Sequence, residues 1–427
     1  MASSILTQPA NADQGAVAQP RIWIYTACLL AFVPLLQSLM TWTYDGQLTS
    51  QQFLIRLFSL TTTCAEIGIL LIAGRVGFEY KALFLGLPKA AKILLAVWGV
   101  CALAALFLNT AHMQISAFIF VRYVLQGLAL AAIIHILRTV DYFDSTKWFA
   151  LLTLGGLAYI ILLTYFAITV PNPRTFPWEG GLPSATNIRH IGNYVVILAI
   201  APAALLLFAN EARKWHYAIA FAAMTMFAAW TGSRAAVLGL ILSLISGWFF
   251  MRRDVARRKI TALGGAFFVG IVASIPLPIP NPVYGLLRMF DALQPGVEIS
   301  SGRIEVWLHT IHEIAKQPFL GHGTGRFANN MSDLYGLDLD NPHNFILQYF
   351  YDWGVIGGTA GLVLLLMLGR AVFQQRGKEP MLVFSAIAGI TILFTIGLLE
   401  GTLYHPMKMF LVMAMIAPAF AAKRETP

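Results

Sequence analysis

Charge is what this sequence has least of. Asp, Glu, Lys and Arg make up 11% of its 427 residues, against 58% hydrophobic residues, where roughly a quarter charged is usual for a soluble domain. That excludes a soluble chain with several cores and leaves a polytopic membrane protein. Cysteine is equally scarce. Cys28, Cys64 and Cys101 all fall in apolar runs, where they read as small buried hydrophobes, neither disulfide partners nor metal ligands. Residues 1–20 carry no charge besides Asp13 and lack the charged-then-apolar layout of a cleavable signal. They are expected to form a disordered cytoplasmic tail, with the first span a retained anchor.

A formal net charge of +9 raises nucleic acid as a partner. No basic stripe interleaved with aromatics supports it, and none is expected. The lysines and arginines lie instead in short stretches between apolar runs, which is a topology signal. A helical span takes about 20 apolar residues. We place twelve, at 22–43, 52–73, 90–109, 115–138, 148–170, 190–209, 214–230, 234–250, 260–279, 343–369, 381–399 and 405–422. Most of the 29 lysines and arginines then fall on one side, which the positive-inside rule makes cytoplasmic together with both termini. The expected fold is an all-α polytopic membrane protein with about 12 transmembrane helices. Residues 21–279 hold helices 1–9, 280–342 a large outer loop, 343–422 helices 10–12, and 423–427 a cytoplasmic tail.

The cations on the outer side are informative: Arg56, Arg122, Arg174, Arg189, Arg234, Arg288, Arg303, Lys316, Arg326 and Lys408. A charge at a span end is costly without a partner. Arg189 (TNIRHIGNY) and Arg234 (WTGSRAAVLGL) each open a span, and His343 (NPHNFILQYF) opens another just after the loop that carries Arg303. Convergent arginines suit an anion, and a diphosphate matches bidentate guanidinium geometry.

The stretch from Pro280 to Gly357 holds four of the nine histidines, His309, His312, His322 and His343. One amphipathic helix is expected over about 302–317. Ile304, Trp307, Leu308, Ile311 and Ala315 recur at helical spacing, with Arg303, Glu305, His309, His312, Glu313 and Lys316 mostly opposite. Ser300 and Ser301 are candidate caps, and Pro318 with Gly321 a stop. Such a helix lies on the membrane surface or over a cavity. Arg303 in its first turn opposes the macrodipole; a phosphate shared with the helix amides would resolve the conflict, as would solvent exposure. His309 and His312 do not have the spacing of a zinc helix, and no metal is expected. Gly321, Gly323 and Gly325 in GHGTGRF follow no strand, so they read as a tight, close-packed turn and not a nucleotide loop. Glu179 (FPWEGG) and Glu400 (LLEGTLYHP) are candidates to orient a base or pair with an arginine, although a solvated loop is the simpler reading for either alone.

Three segments resemble the O-antigen ligase and polymerase superfamily. TGSRAAVLGL resembles its Arg-x-x-x-Leu signature, here Arg234 to Leu238. SGRIEVWLHTIHEIAKQPFLGHGTGRF resembles the large-loop region of that superfamily. HNFILQYFYDWGVIGG resembles its His-Asn block followed by Gly-x-x-Gly, here His343, Asn344, Gly354 and Gly357. The resemblance covers roughly 189–360. It implies a metal-independent, cofactor-free, GT-C-like glycosyltransferase of a bacterial inner membrane, with its active site on the periplasmic face. The implied partners are an undecaprenyl-diphosphate-linked O-antigen donor, a lipid A-core acceptor and the membrane lipids, with no nucleotide. His343 would be the general base, with Arg189, Arg234 and Arg303 on the diphosphate. Arg288, His322, Arg326 and Asn344 would be substrate-binding residues. With one long outer loop and only five residues after the last span, the ligase branch is favoured. An O-antigen polymerase, or a transporter of lipid-linked sugars, remains the alternative.

Overall fold

The computed structural model describes residues 21–108, 113–173, 175–178, 180–209, 214–251, 255–277, 285–286, 300, 302–336, 339–401 and 405–421. The described secondary structure is helical: α1 (Ile22–Met40), α2 (Ser50–Leu57), α3 (Leu60–Arg75), α4 (Tyr80–Gly86), α5 (Lys89–Leu108), α6 (Met113–Thr139), α7 (Ser145–Thr169), α8 (Ile188–Phe208), α9 (Lys214–Trp230), α10 (Arg234–Met251), α11 (Arg257–Ala273), α12 (Arg303–Lys316), α13 (Phe327–Tyr335), α14 (Phe345–Phe373), α15 (Pro380–Leu399) and α16 (Pro406–Ala421). Helices stand at all the expected span positions. Eight of them, α1, α5, α6, α7, α8, α10, α14 and α15, are long and apolar enough to cross a bilayer. A ninth is added if α2 and α3, bent by 56°, count as one span. The remaining α9, α11 and α16 have 17, 17 and 16 residues, short of the roughly 20 a perpendicular crossing needs.

α8 is the central post. Ile191 to Leu207 is buried without interruption, because a helix apolar on every side is stable only when surrounded. α7, α9, α10, α15 and α16 pack around it. Outward-facing residues such as Leu71, Val100, Phe107 and Ile161 are well exposed, as a lipid-facing surface requires. Not all intramembrane polar groups face out. Arg122 of α6 meets Glu66 of α3 at 2.8 Å, both buried. Cys101 is buried, but Cys28 is half-buried and Cys64 exposed, so the reading of all three as buried hydrophobes is corrected.

The loop end of the bundle is locked by backbone contacts. α14 breaks at Gly354, whose φ is 63° and ψ −173°. The break leaves carbonyls free: Tyr351 O accepts from the His322 N–H at 2.8 Å and Asp352 O from Gly323 N–H at 3.2 Å. In return, the Val355 N–H donates to Pro318 O at 2.7 Å. A Cβ at Gly354 would lie 2.3 Å from the Phe319 carbonyl, and one at Gly321 2.5 Å from Tyr351 O. Two motif glycines are therefore required by close approach of main chain to main chain.

This docking carries α12, which forms where expected. Its start is not capped by serine: Gly302, at φ 78°, is the N-cap and no side chain bonds there. Its orientation also differs from a helix that buries its apolar stripe. Val306, Thr310 and Glu313 are buried, while Ile304, Leu308 and Ile311 are exposed. Buried Val306 joins Phe327, Met331 and Tyr351 in a small separate core, and Glu313 is held by Lys316 and the Tyr335 hydroxyl, each at 2.7 Å.

Candidate functional site

At the loop end, chain termini of several helices converge. Asn187 caps α8 by accepting the Arg189 N–H at 2.9 Å, so Arg189 and His190 leave the first turn of the central post. Gly192 lets the Thr231–Gly232–Ser233 turn approach, since a Cβ there would be 2.4 Å from Thr231 Oγ1. Ser233 Oγ then accepts the Ala236 N–H at 3.3 Å, starting α10 with Arg234 in its first turn.

His343 sits in the left-handed region, at φ 52°, where non-glycine residues are uncommon. Two asparagines hold it there. Asn341 Oδ1 accepts the His343 N–H at 2.9 Å, and Asn344 Oδ1 caps α14 through Ile346 and Leu347 N–H at 3.0 and 3.3 Å. Asn341 also packs against Gly401, where a Cβ would be 2.3 Å from its Oδ1. The adjoining Pro342 carbonyl accepts Trp307 Nε1 at 2.9 Å. That bond fastens α12, and hence Arg303, beside His343.

Glu400 closes the arrangement. It is 6% exposed, which corrects its reading as a solvated loop residue. Its carboxylate accepts from Asn193 Nδ2 and, at 3.3 Å, from Ser233 Oγ, and lies 3.9 Å from Lys408 Nζ. His190 and His405 lie ring on ring, centroids 3.9 Å apart.

The charges interact as one set. His343 is within electrostatic reach of Arg303, Glu400, Lys408 and Arg189, and Arg303 of Glu400, Arg189 and Arg234. Burial, then the Arg303 guanidinium, pushes His343 down to about 4, against the partial opposition of Glu400. His405 is held well below the ordinary imidazole range by burial and Lys408. Arg303 is lowered by burial, with Glu400 acting the other way. The site therefore presents guanidinium and ammonium groups around one carboxylate, with a neutral imidazole free to accept a proton. Buried polar atoms here without a hydrogen-bond partner include Arg189 Nε, His190 Nδ1 and Asn193 Oδ1.

Of the residues picked out by sequence, Arg189, Arg234, Arg303 and His343 come together. Asn344 adjoins them, but its side chain is engaged as a helix cap. His322 is not in the cluster: it is buried in the loop layer, its Nε2 2.7 Å from Glu313 O, stacked on Tyr351. Arg326 stands at the start of α13, also in that layer. Arg288 and Glu179 lie outside the described residues. Among those described, no group of three or more His, Cys, Asp or Glu is arranged to hold a metal ion. Sequence reading missed His190, Asn193 and His405, and counted Lys408 among the outer cations without giving it a role. A lone lysine inside an apolar span is itself a functional signal, and Lys408 carried it.

Residues 219–362 match the family model described as O-antigen ligase. That stretch includes Arg234, Arg303 and His343, and the interlock of Gly321 with Gly354. A search of curated proteins finds no match. The chain is a multi-pass helical membrane protein whose 219–362 segment is similar to the O-antigen ligase family.

Proposed function

We propose that this protein is an O-antigen ligase: a metal-independent, GT-C-like inverting glycosyltransferase that moves glycan from undecaprenyl diphosphate to a sugar hydroxyl of lipid A-core, on the periplasmic face of a bacterial inner membrane. The observation that carries the reading is the convergence of Arg189, Arg234, Arg303 and His343 from α8, α10, α12 and the start of α14. Neutral His343 takes the proton of the acceptor hydroxyl. The acceptor oxygen attacks the anomeric carbon, the bond from that carbon to the phosphate oxygen breaks, and the electron pair leaves with undecaprenyl diphosphate. The leaving diphosphate gains negative charge in that step. Arg189, Arg234 and Arg303, fixed before reaction, stabilise it as preorganised charge. Arginine suits this because it stays protonated and forks onto phosphate oxygens.

The test is reconstitution with undecaprenyl-diphosphate glycan and lipid A-core in EDTA, with products resolved on a lipopolysaccharide gel. Glycan on lipid A-core is the expected product. Longer glycan still on undecaprenyl diphosphate would make the protein a polymerase. Intact donor moved across the bilayer without transfer would make it a transporter.

A further inference from the structure

Behind the arginines lies a pair that the proposed chemistry does not use. Glu400 follows the last turn of α15, and Lys408, fully buried, is in the first turn of α16. Their carboxylate and ammonium are 3.9 Å apart, and Lys408 Nζ has no hydrogen-bond partner. An ammonium in an apolar span is costly, and a buried ion pair stabilises a fold no better than apolar residues of the same volume. Cohesion alone does not account for it. Its position does. Through Asn193, Ser233 and Lys408, Glu400 ties together the ends of α8, α10, α15 and α16, two of which launch Arg189 and Arg234.

The groups facing His343 are Arg303 from α12, Arg189 and His190 from α8, Glu400 from the end of α15, His405 just before α16, and Lys408 from α16. Arg234 of α10 faces Arg303. Glu400 is the acid in this set. Without it, Arg189, Arg234, Arg303 and Lys408 would repel one another in a poorly solvated site whenever no anion is bound.

We propose that Glu400 and Lys408 form a positioning pair, in which Glu400 is the resident counter-anion of the arginine cluster, Lys408 holds it from the membrane side, and the two together set the charge that His343 feels. This rests on reading His343 as the acceptor's base. Glu400 favours a proton on His343 and Lys408 disfavours it, so removing either charge moves that imidazole in opposite directions.

The experiment follows His343 by NMR in full-length, detergent-solubilised protein with ring-labelled histidine, the signal assigned by His343→Asn. Glu400→Gln moves its titration midpoint to lower pH and Lys408→Met to higher pH, each by about half a unit or more. The double variant returns toward wild type, and Lys408→Arg, which keeps the charge, leaves it in place. No movement in the single variants, or movement of both the same way, overturns the proposal. If Glu400→Gln does not fold, Lys408→Met decides alone: an upward shift supports the pair and none overturns it. Transfer activity of His343→Asn is read separately. Retained activity with shifted titrations refutes the base while leaving the pair standing.

Discussion

His343 is held in an uncommon backbone conformation by Asn341 and Asn344, which costs on the order of 1–3 kcal/mol in a sparsely populated region. The surrounding turn maintains it and aims the imidazole at the arginines. Because burial and Arg303 press its pKa to about 4, His343 is neutral, and able to accept a proton, from roughly pH 5 upward. The kcat/KM of the reconstituted enzyme is therefore expected to stay flat as pH falls from 7 to about 5.5, and to drop only below that. An acid limb centred near 6.5, the ordinary histidine value, would mean that the base is solvated or is another group. Residue identities were the most legible part of the site. Arg189 and Arg234 stood out because a guanidinium at the edge of an apolar span needs a reason, and Arg303 because it opposes the macrodipole of its helix. Glu400 was harder, since a carboxylate after the last residue of a helix looks solvated until Asn193, Ser233 and Lys408 are seen to surround it.

At the scale of elements, the loop carrying Arg303 is docked by main chain as well as side chains. The 318–323 turn inserts into the break of α14, and Trp307 grips Pro342. Gly354→Ala places a Cβ 2.3 Å from the Phe319 carbonyl at a conformation that only glycine adopts readily. It is expected to destabilise the docked loop by at least about 1–3 kcal/mol, seen as a lower melting temperature together with loss of transfer. A variant as stable and active as wild type would show that this interlock does not position Arg303. Spacing revealed α12, because Ile304, Leu308 and Ile311 recur at helical period, yet period alone does not say which face is buried. The sequence's stripe points outward here, and the buried face is Val306, Thr310 and Glu313. Helix α8 posed the opposite problem. Apolar all round, it offers no periodicity from which to read that Asn193 turns toward Glu400.

Across the whole molecule, helix positions followed from hydrophobic runs; among the described residues eight helices, or nine with the bent α2–α3 pair, are long and apolar enough to cross a bilayer, and three more have 16 or 17 residues. The bundle also buries the Arg122–Glu66 pair, far in sequence from the loop motifs. Arg122→Met alone strands the carboxylate and is expected to cost about 3–5 kcal/mol, whereas Arg122→Met with Glu66→Gln recovers much of that loss. Thermal unfolding in detergent measures both, and a double variant that loses as much as Arg122→Met would show that the carboxylate is not left stranded by loss of its partner. The central claim is that residues from four distant stretches make one glycosyl-transfer site, with His343 as base. The most direct measurement compares wild type and His343→Asn for binding of undecaprenyl-diphosphate glycan and for its transfer to lipid A-core. The account predicts donor binding within a few fold of wild type and transfer reduced by about 10²–10⁴. Transfer at the wild-type rate in a variant that binds donor normally would contradict it.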